Sequence, residues 1–236
     1  MFNGTKDKNN QILDVNHKIF HEKEVIIYGG APKSQLLGAI SNDALIVLPG
    51  LMKPRTEFPK CAKVVRYINN RLIGNLDNES VEFLIHNSEY IIVKPGQRTI
   101  FVSKYRFPQD KIIEIPFRPI YGMCSLNMTV IIALIAKILG AVDLKLVCST
   151  NSLRFDEVNA KRSNQDPVWD ASYEMVKREK PDLSSMFGVH NPVWHQIILY
   201  RMYTENVVAP LDKNTQSMLE LTPYEYSKRL QNQNAN

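Results

Sequence analysis

The chain has 236 residues, 44% of them hydrophobic and 22% charged, with a net charge of +5. Those proportions exclude wholesale disorder, and the length suits one α/β domain with a sizeable core. A mildly basic balance favours anionic ligands but does not choose among phosphates, nucleic acid and acidic lipids.

Residues 1–23 read as a polar lead-in without the apolar stretch of a signal peptide. Glu24 to Tyr28 predicts a buried parallel strand that ends in Gly29-Gly30-Ala31-Pro32. Ser34 to Ile40 is expected to be a helix, and its N-terminus after a glycine pair could attract a phosphate. An ordinary tight strand-to-helix turn explains the same residues, and neither G-x-G-x-x-G nor a Walker lysine is present. Ala44 to Leu48 predicts a second strand stopped by Pro49-Gly50, and Cys61 to Ile68 a third, ending at Asn69-Asn70. The Asn69 amide could hold a base or sugar hydroxyl, or simply form an Asx-turn. Ser80 to Ser88 reads as a helix and Tyr90 to Val93 as a fourth strand, with further short strands at Thr99–Val102 and Lys111–Ile115.

Met123 to Leu139 is apolar almost all round and predicts a central buried helix, closed by Gly140 and followed by a strand at Leu144–Val147. The apolar run from Leu126 to Val147 approaches membrane-span length, but Lys137, Gly140, Asp143 and Lys145 interrupt it. From Ser149 the chain turns polar and weakly periodic, which marks residues 149–187 as a lid. Val193 to Tyr203 predicts a helix, Val207–Ala209 a strand and Gln216–Glu220 a short helical turn. The Gln/Asn-rich residues 229–236 are expected to be disordered. No internal repeat is present. Strands alternating with helices over residues 24–228 predict a single Rossmann-like α/β domain, with a mostly parallel sheet and helices on both faces. Ligands bind outside the carboxyl ends of such strands.

Cys61, Cys124 and Cys148 lack CxxC spacing and sit in or beside apolar runs. They read as buried free thiols in a reducing, cytoplasmic setting rather than as disulfides or a zinc site. His17, His21, His86 and His195 have no metal-type spacing. Scattered Lys and Arg give no stripe for nucleic acid. His190 is different, because Phe187-Gly-Val-His190-Asn-Pro192 sets it at a loop-to-helix junction. There it could exchange a proton near neutral pH, or serve only as a helix-start residue with a local hydrogen bond.

In order along roughly Val25 to Pro223, these segments resemble the bacterial sialyltransferases that decorate lipooligosaccharide. Val25-Ile-Ile-Tyr-Gly-Gly-Ala-Pro32 is similar to that family's first strand and glycine-rich turn. Lys60 to Asn69 is similar to its third strand, which ends in a substrate-contacting Asn. Ser125, the helix through Ala133-Leu134 to Gly140, and Asp143 to Val147 resemble its serine turn, central helix and next strand. Gly188-Val-His190, the helix to Tyr203 and Ser217 to Leu221 resemble the segment that carries its base. The resemblance implies a metal-independent glycosyltransferase with a CMP-sialic acid donor, a glycan acceptor and peripheral membrane association. It puts His190 on the general base. It puts Gly29, Gly30, Ala31, Pro32, Asn69 and Ser125 about the donor, and Asn151, just past the carboxyl end of the strand to Val147, is a further candidate by its position.

The chain departs from the family at Pro49-Gly50, where an Asn is usual, and at Cys148-Ser-Thr-Asn151, where Gly then Asp is usual. The two tyrosines that help the phosphate leave have no clear counterparts, and Arg154 or Arg162 is the substitute considered for them. Two other functions therefore remain open: a binding module that has lost its chemistry, and a transferase for another nucleotide donor.

Overall fold

A computed structural model describes residues 19–31, 34–53, 57–68, 73, 76–115, 128–151, 153 and 192–235. The strands are β1 (Glu24–Tyr28), β2 (Leu45–Pro49), β3 (Lys63–Tyr67), β4 (Tyr90–Val93), β5 (Ile112–Glu114), β6 (Asp143–Val147) and β7 (Ala209–Pro210). The helices are α1 (Asn78–His86), α2 (Arg98–Tyr105), α3 (Met128–Ile138), α4 (Pro192–Thr204), α5 (Lys213–Leu219) and α6 (Pro223–Ala235). Among the described residues, the seven strands join one parallel sheet in the order β5-β4-β3-β2-β1-β6-β7. The expected Rossmann-like α/β architecture is therefore present.

Register assigns the apolar residues of each strand to two faces. Val25 pairs with Leu45 and Leu144, while Ile26 pairs with Ile46 and Lys145. Val25, Ile27, Leu45, Val47, Leu144 and Leu146 pack on one side with α3, whose apolar residues are buried nearly all round. Leu199 of α4 and Met218 of α5 complete that layer. On the opposite side, Ile91 and Val93 pack under α1 and α2 through Val81, Leu84 and Phe101. Ile26, Tyr28, Ile46 and Leu48 lie on this second side as well, beneath Leu36, Met52 and Phe58, which belong to connecting segments. Continuous burial on both faces is what parallel strands require, and it explains their unbroken Val/Ile/Leu runs.

Four expectations are corrected. No helix forms over Ser34–Ile40. Leu36 instead makes an antiparallel bridge to Asp212, with Leu37 N donating to Leu211 O and Lys213 N to Gln35 O. Thr99–Val102 lies inside α2 and is not a strand. Its β-branched residues favour extended backbone, but β4 and β5 are parallel neighbours and need a crossover between them. The end of the chain is helical through Ala235. Thr222 and Glu225 form a capping box there: Glu225 Oε2 accepts from Thr222 N (2.9 Å) and Thr222 Oγ1 accepts from Glu225 N (3.3 Å), with Pro223 in the first turn. Tyr226 and Leu230, four residues apart, bury against Leu153 and Val193. Finally, Ser149, Thr150, Asn151 and Leu153 are all buried, so the lid cannot begin at 149. Its remainder lies outside the described residues.

Candidate functional site

From β1 the sheet grows one way through β2, β3, β4 and β5, and then resumes on the other side of β1 with β6. The two directions diverge between β1 and β6. In an open parallel sheet this is the topological switch point, and the connections leaving the two carboxyl ends part to leave a crevice.

The glycine-rich turn forms one wall. Gly29 N donates to Val147 O and Ala31 N to Cys148 O, both at 2.8 Å, so the turn is stitched to the exit of β6. The two glycines differ. A Cβ on Gly29 would overlap Cys148 O and Ser149 Oγ and come within 2.8 Å of Ser149 Cα. At Gly30 it would meet nothing described within 4 Å, and Gly30 has no positive φ.

The other wall is the exit of β6, where the backbone is under strain. Cys148 has φ 53° and Asn151 φ 47°, both left-handed. Asn tolerates that region, but Cys does so rarely, and such residues cluster at functional sites. What holds Cys148 there is Asp212, which is fully buried. Its Oδ2 accepts from Cys148 N at 2.6 Å and Thr215 Oγ1 at 2.7 Å; its Oδ1 accepts from Thr215 N at 3.1 Å and from Ser34 Oγ. Thr215 Oγ1 accepts in turn from Ser149 N at 3.0 Å. Asp212 thus caps α5 and ties together three segments: the chain after the glycine turn, the β6 exit and α5.

Asn151 is buried and its side-chain amide is engaged. Nδ2 donates to Pro192 O at 2.8 Å, and the Tyr226 hydroxyl donates to Asn151 O at 2.5 Å. Asn151 therefore fastens the first residue of α4, and through Tyr226 α6, to the crevice wall. Farther along the same edge, Arg66 is 2% exposed and donates from Nη1 to Gly50 O and Met52 O, each at 2.8 Å. Its guanidinium stacks over Phe83 at 4.9 Å, and burial lowers its pKa to about 10. Burial likewise pushes the Tyr67 phenol up to about 12; its hydroxyl has no hydrogen-bond partner.

Of the residues expected at a site, Gly29 and Ala31 are hydrogen-bonded to the exit of β6, Gly30 lies between them, and Asn151 lies four residues beyond Val147, bonded to Pro192 and Tyr226. Pro32, Asn69, Ser125, Arg154, Arg162 and His190 lie outside the described residues, as does Cys124. Of the thiols expected to be buried, Cys148 is buried, whereas Cys61 is exposed. Asp212, Thr215 and Ser34 were missed. An Asp directly after an apolar segment and before Lys213-Asn-Thr215 is a legible helix cap, although its reach to Cys148 is not local.

Among the described residues, no group of three or more His, Cys, Asp or Glu gathers where it could hold a metal ion. No helix among them is long and apolar enough to cross a membrane. Comparison with models of protein families, with curated proteins and with solved structures gave no match.

Proposed function

We propose that the chain is a glycosyltransferase that moves sialic acid or a related acidic sugar from a CMP-sugar to a glycan acceptor. One observation carries the reading. At the switch-point crevice Asn151 holds Pro192, and in the sequence Pro192 follows His190 by two residues. The helix that starts, in the sequence, two residues after the candidate base is thus anchored near the carboxyl end of β6, the end of a doubly wound sheet where ligands bind.

In this reading the glycine turn and Ala31, with Pro32, Asn69 and Ser125, receive the donor. Neutral His190 takes the proton of the acceptor hydroxyl as its oxygen bonds to the anomeric carbon. The bond from that carbon to the phosphate oxygen breaks, and the electron pair leaves with CMP. The transition state resembles an oxocarbenium ion, and a positioned base contributes ~10²–10⁴-fold. Arg154 or Arg162 offsets the charge on the departing phosphate, so no metal is called for.

A second reading, a nucleotide-binding relative without transfer, is favoured by Asn151 itself, whose amide is spent on Pro192 instead of being free for a substrate. The two separate in one set of measurements. Thermal shifts with CMP, CDP, UDP and GDP, without added metal, are followed by assays of transfer and donor hydrolysis for the wild type and a folded His190→Ala variant. CMP-selective stabilisation with turnover that collapses in the variant supports the transferase. Stabilisation without turnover supports the binding relative, and selectivity for another nucleotide redirects the donor. Unchanged turnover in His190→Ala removes it from the mechanism.

A further inference from the structure

The hydrogen-bond network at the β6 exit closes except at two adjacent side chains. Asp212 uses both oxygens, Thr215 Oγ1 donates to Asp212 and accepts from Ser149 N, and Ser34 Oγ accepts from Asn214 N while donating to Asp212. Ser149 Oγ and Thr150 Oγ1 are left without a partner, although the residues are only 5% and 2% exposed. Buried hydroxyls are ordinarily satisfied, so each orphan calls for a physical reason. Orphan side-chain atoms also occur at Tyr67, Ser88, Arg98 and Gln196, but each of those stands alone in the sequence. Ser149 and Thr150 are consecutive, they follow closely on β6 at the switch point, and left-handed Cys148 and Asn151 bracket them.

The opposite wall has a matching property. Gly29 must be glycine because the β6 exit leaves its Cβ no room, and Ser149 Oγ is one of the atoms in the way. Gly30, next to it, needs to be glycine neither for its φ nor for any described neighbour. Two unmet hydroxyls and a glycine that the described fold does not require therefore lie on two segments joined by hydrogen bonds at the switch point.

We infer that Ser149 and Thr150 hold sugar hydroxyls of the ligand, with Gly30 leaving space for that sugar. This rests on the nucleotide-sugar reading. A serine or threonine hydroxyl both donates and accepts, as a sugar hydroxyl does, so two such groups can exchange a full set of bonds. A phosphate is the poorer occupant on this wall. Asp212 stands behind it, accepts four hydrogen bonds and has no cation paired with it among the described residues. An apolar group would leave both hydroxyls as unmet as they are now. The sugar is either the ribose of the nucleotide or the sugar that is transferred.

The test is calorimetric titration of the full chain, as wild type, Ser149→Ala and Thr150→Val, with CMP, deoxy-CMP and CMP-sialic acid. Neither variant removes a hydrogen bond of the side-chain hydroxyl, so both should keep the wild-type melting temperature. If the ribose is held, the wild type prefers CMP to deoxy-CMP by ~10-fold or more, and Thr150→Val or Ser149→Ala reduces that preference to about twofold. If the transferred sugar is held, CMP and deoxy-CMP bind alike and the variants weaken CMP-sialic acid alone. Either result upholds the inference. Unchanged affinity for all three ligands in both variants overturns it and leaves the nucleotide reading intact. A wild type that binds none of the three overturns that reading, and the inference falls with it.

Discussion

The flank of the sheet built on β4 and β5 and the flank built on β1 and β6 handle polar groups in contrasting ways. Over β4 and β5 the side-chain bonds stay within a turn, a single crossover or two neighbouring crossovers. Asp77 caps α1 by accepting from Ser80 N, Asn87 Nδ2 returns to Phe83 O, and Lys111 closes the carbonyls of Ile85 and Ser88. At β1 and β6 the bonds join residues far apart in sequence: Asp212 to Cys148, Asp212 to Ser34, Asn151 to Pro192. Two residues in left-handed backbone and two unmet hydroxyls accompany them. The first flank has orphan atoms of its own, at Ser88 and Arg98, and a left-handed Arg106, but these are scattered along its crossovers. The other is a junction where strain is tolerated because several segments fix it at once.

The sharpest way to break the contrast is Asp212→Ala. Truncation leaves four donors without their acceptor, three of them buried and Ser34 Oγ part-buried, at ~1–3 kcal/mol for each group that stays unsatisfied, so a loss of about 4 kcal/mol is expected after relaxation. Urea unfolding of this variant should show a far larger loss than removal of the exposed Asp77 cap. Equal losses would mean the junction is not held as described.

The paired glycines come next. Gly29→Ala should cost ~2–3 kcal/mol, because the backbone of the β6 exit must move, while Gly30→Ala should change stability by less than ~0.5 kcal/mol. Thermal melts of the two variants check this, and similar values would contradict the asymmetry of the turn.

The smallest effect concerns pH. With its phenol raised to about 12, Tyr67 contributes stability that is complete below about 10, the usual tyrosine value, and is lost as pH rises through about 12. Between those values the wild type should lose ~2 kcal/mol more than Tyr67→Phe. The lowered pKa of Arg66 acts in the opposite sense over that interval, but it is common to both proteins and cancels in the comparison. At neutral pH the two should be equally stable, since the hydroxyl has no partner to lose. Parallel pH curves would contradict the burial of this phenol.

How much the sequence disclosed follows the same division. Strands such as Tyr90–Val93 were legible because burial on both faces imposes an unbroken apolar run. The helical state of Thr99–Val102 was not, since it follows from β4 and β5 being parallel neighbours and not from those four residues. The last helix was legible in principle from Thr222-Pro-Tyr-Glu225, but Gln/Asn composition outweighed that signal. At the candidate site the glycine turn could be read, whereas its missing helix could not. Ser34 and Leu37 are drawn to Asp212 and Leu211 by contacts that span almost the length of the chain. Asp212 could be recognised as a cap, but the bond that positions Cys148 crosses 64 residues.

The brevity of the outermost strands bears on how copies of the protein meet in a crowded solution. Among the described residues the sheet ends in three residues on one side, Ile112–Glu114, and in two on the other, Ala209–Pro210. A foreign strand recruited by backbone pairing finds few free rungs on either border, and Pro210 supplies no N–H at all. A sheet whose five other strands are richly apolar is thereby guarded against growing from molecule to molecule, and lengthening either border strand would weaken that guard.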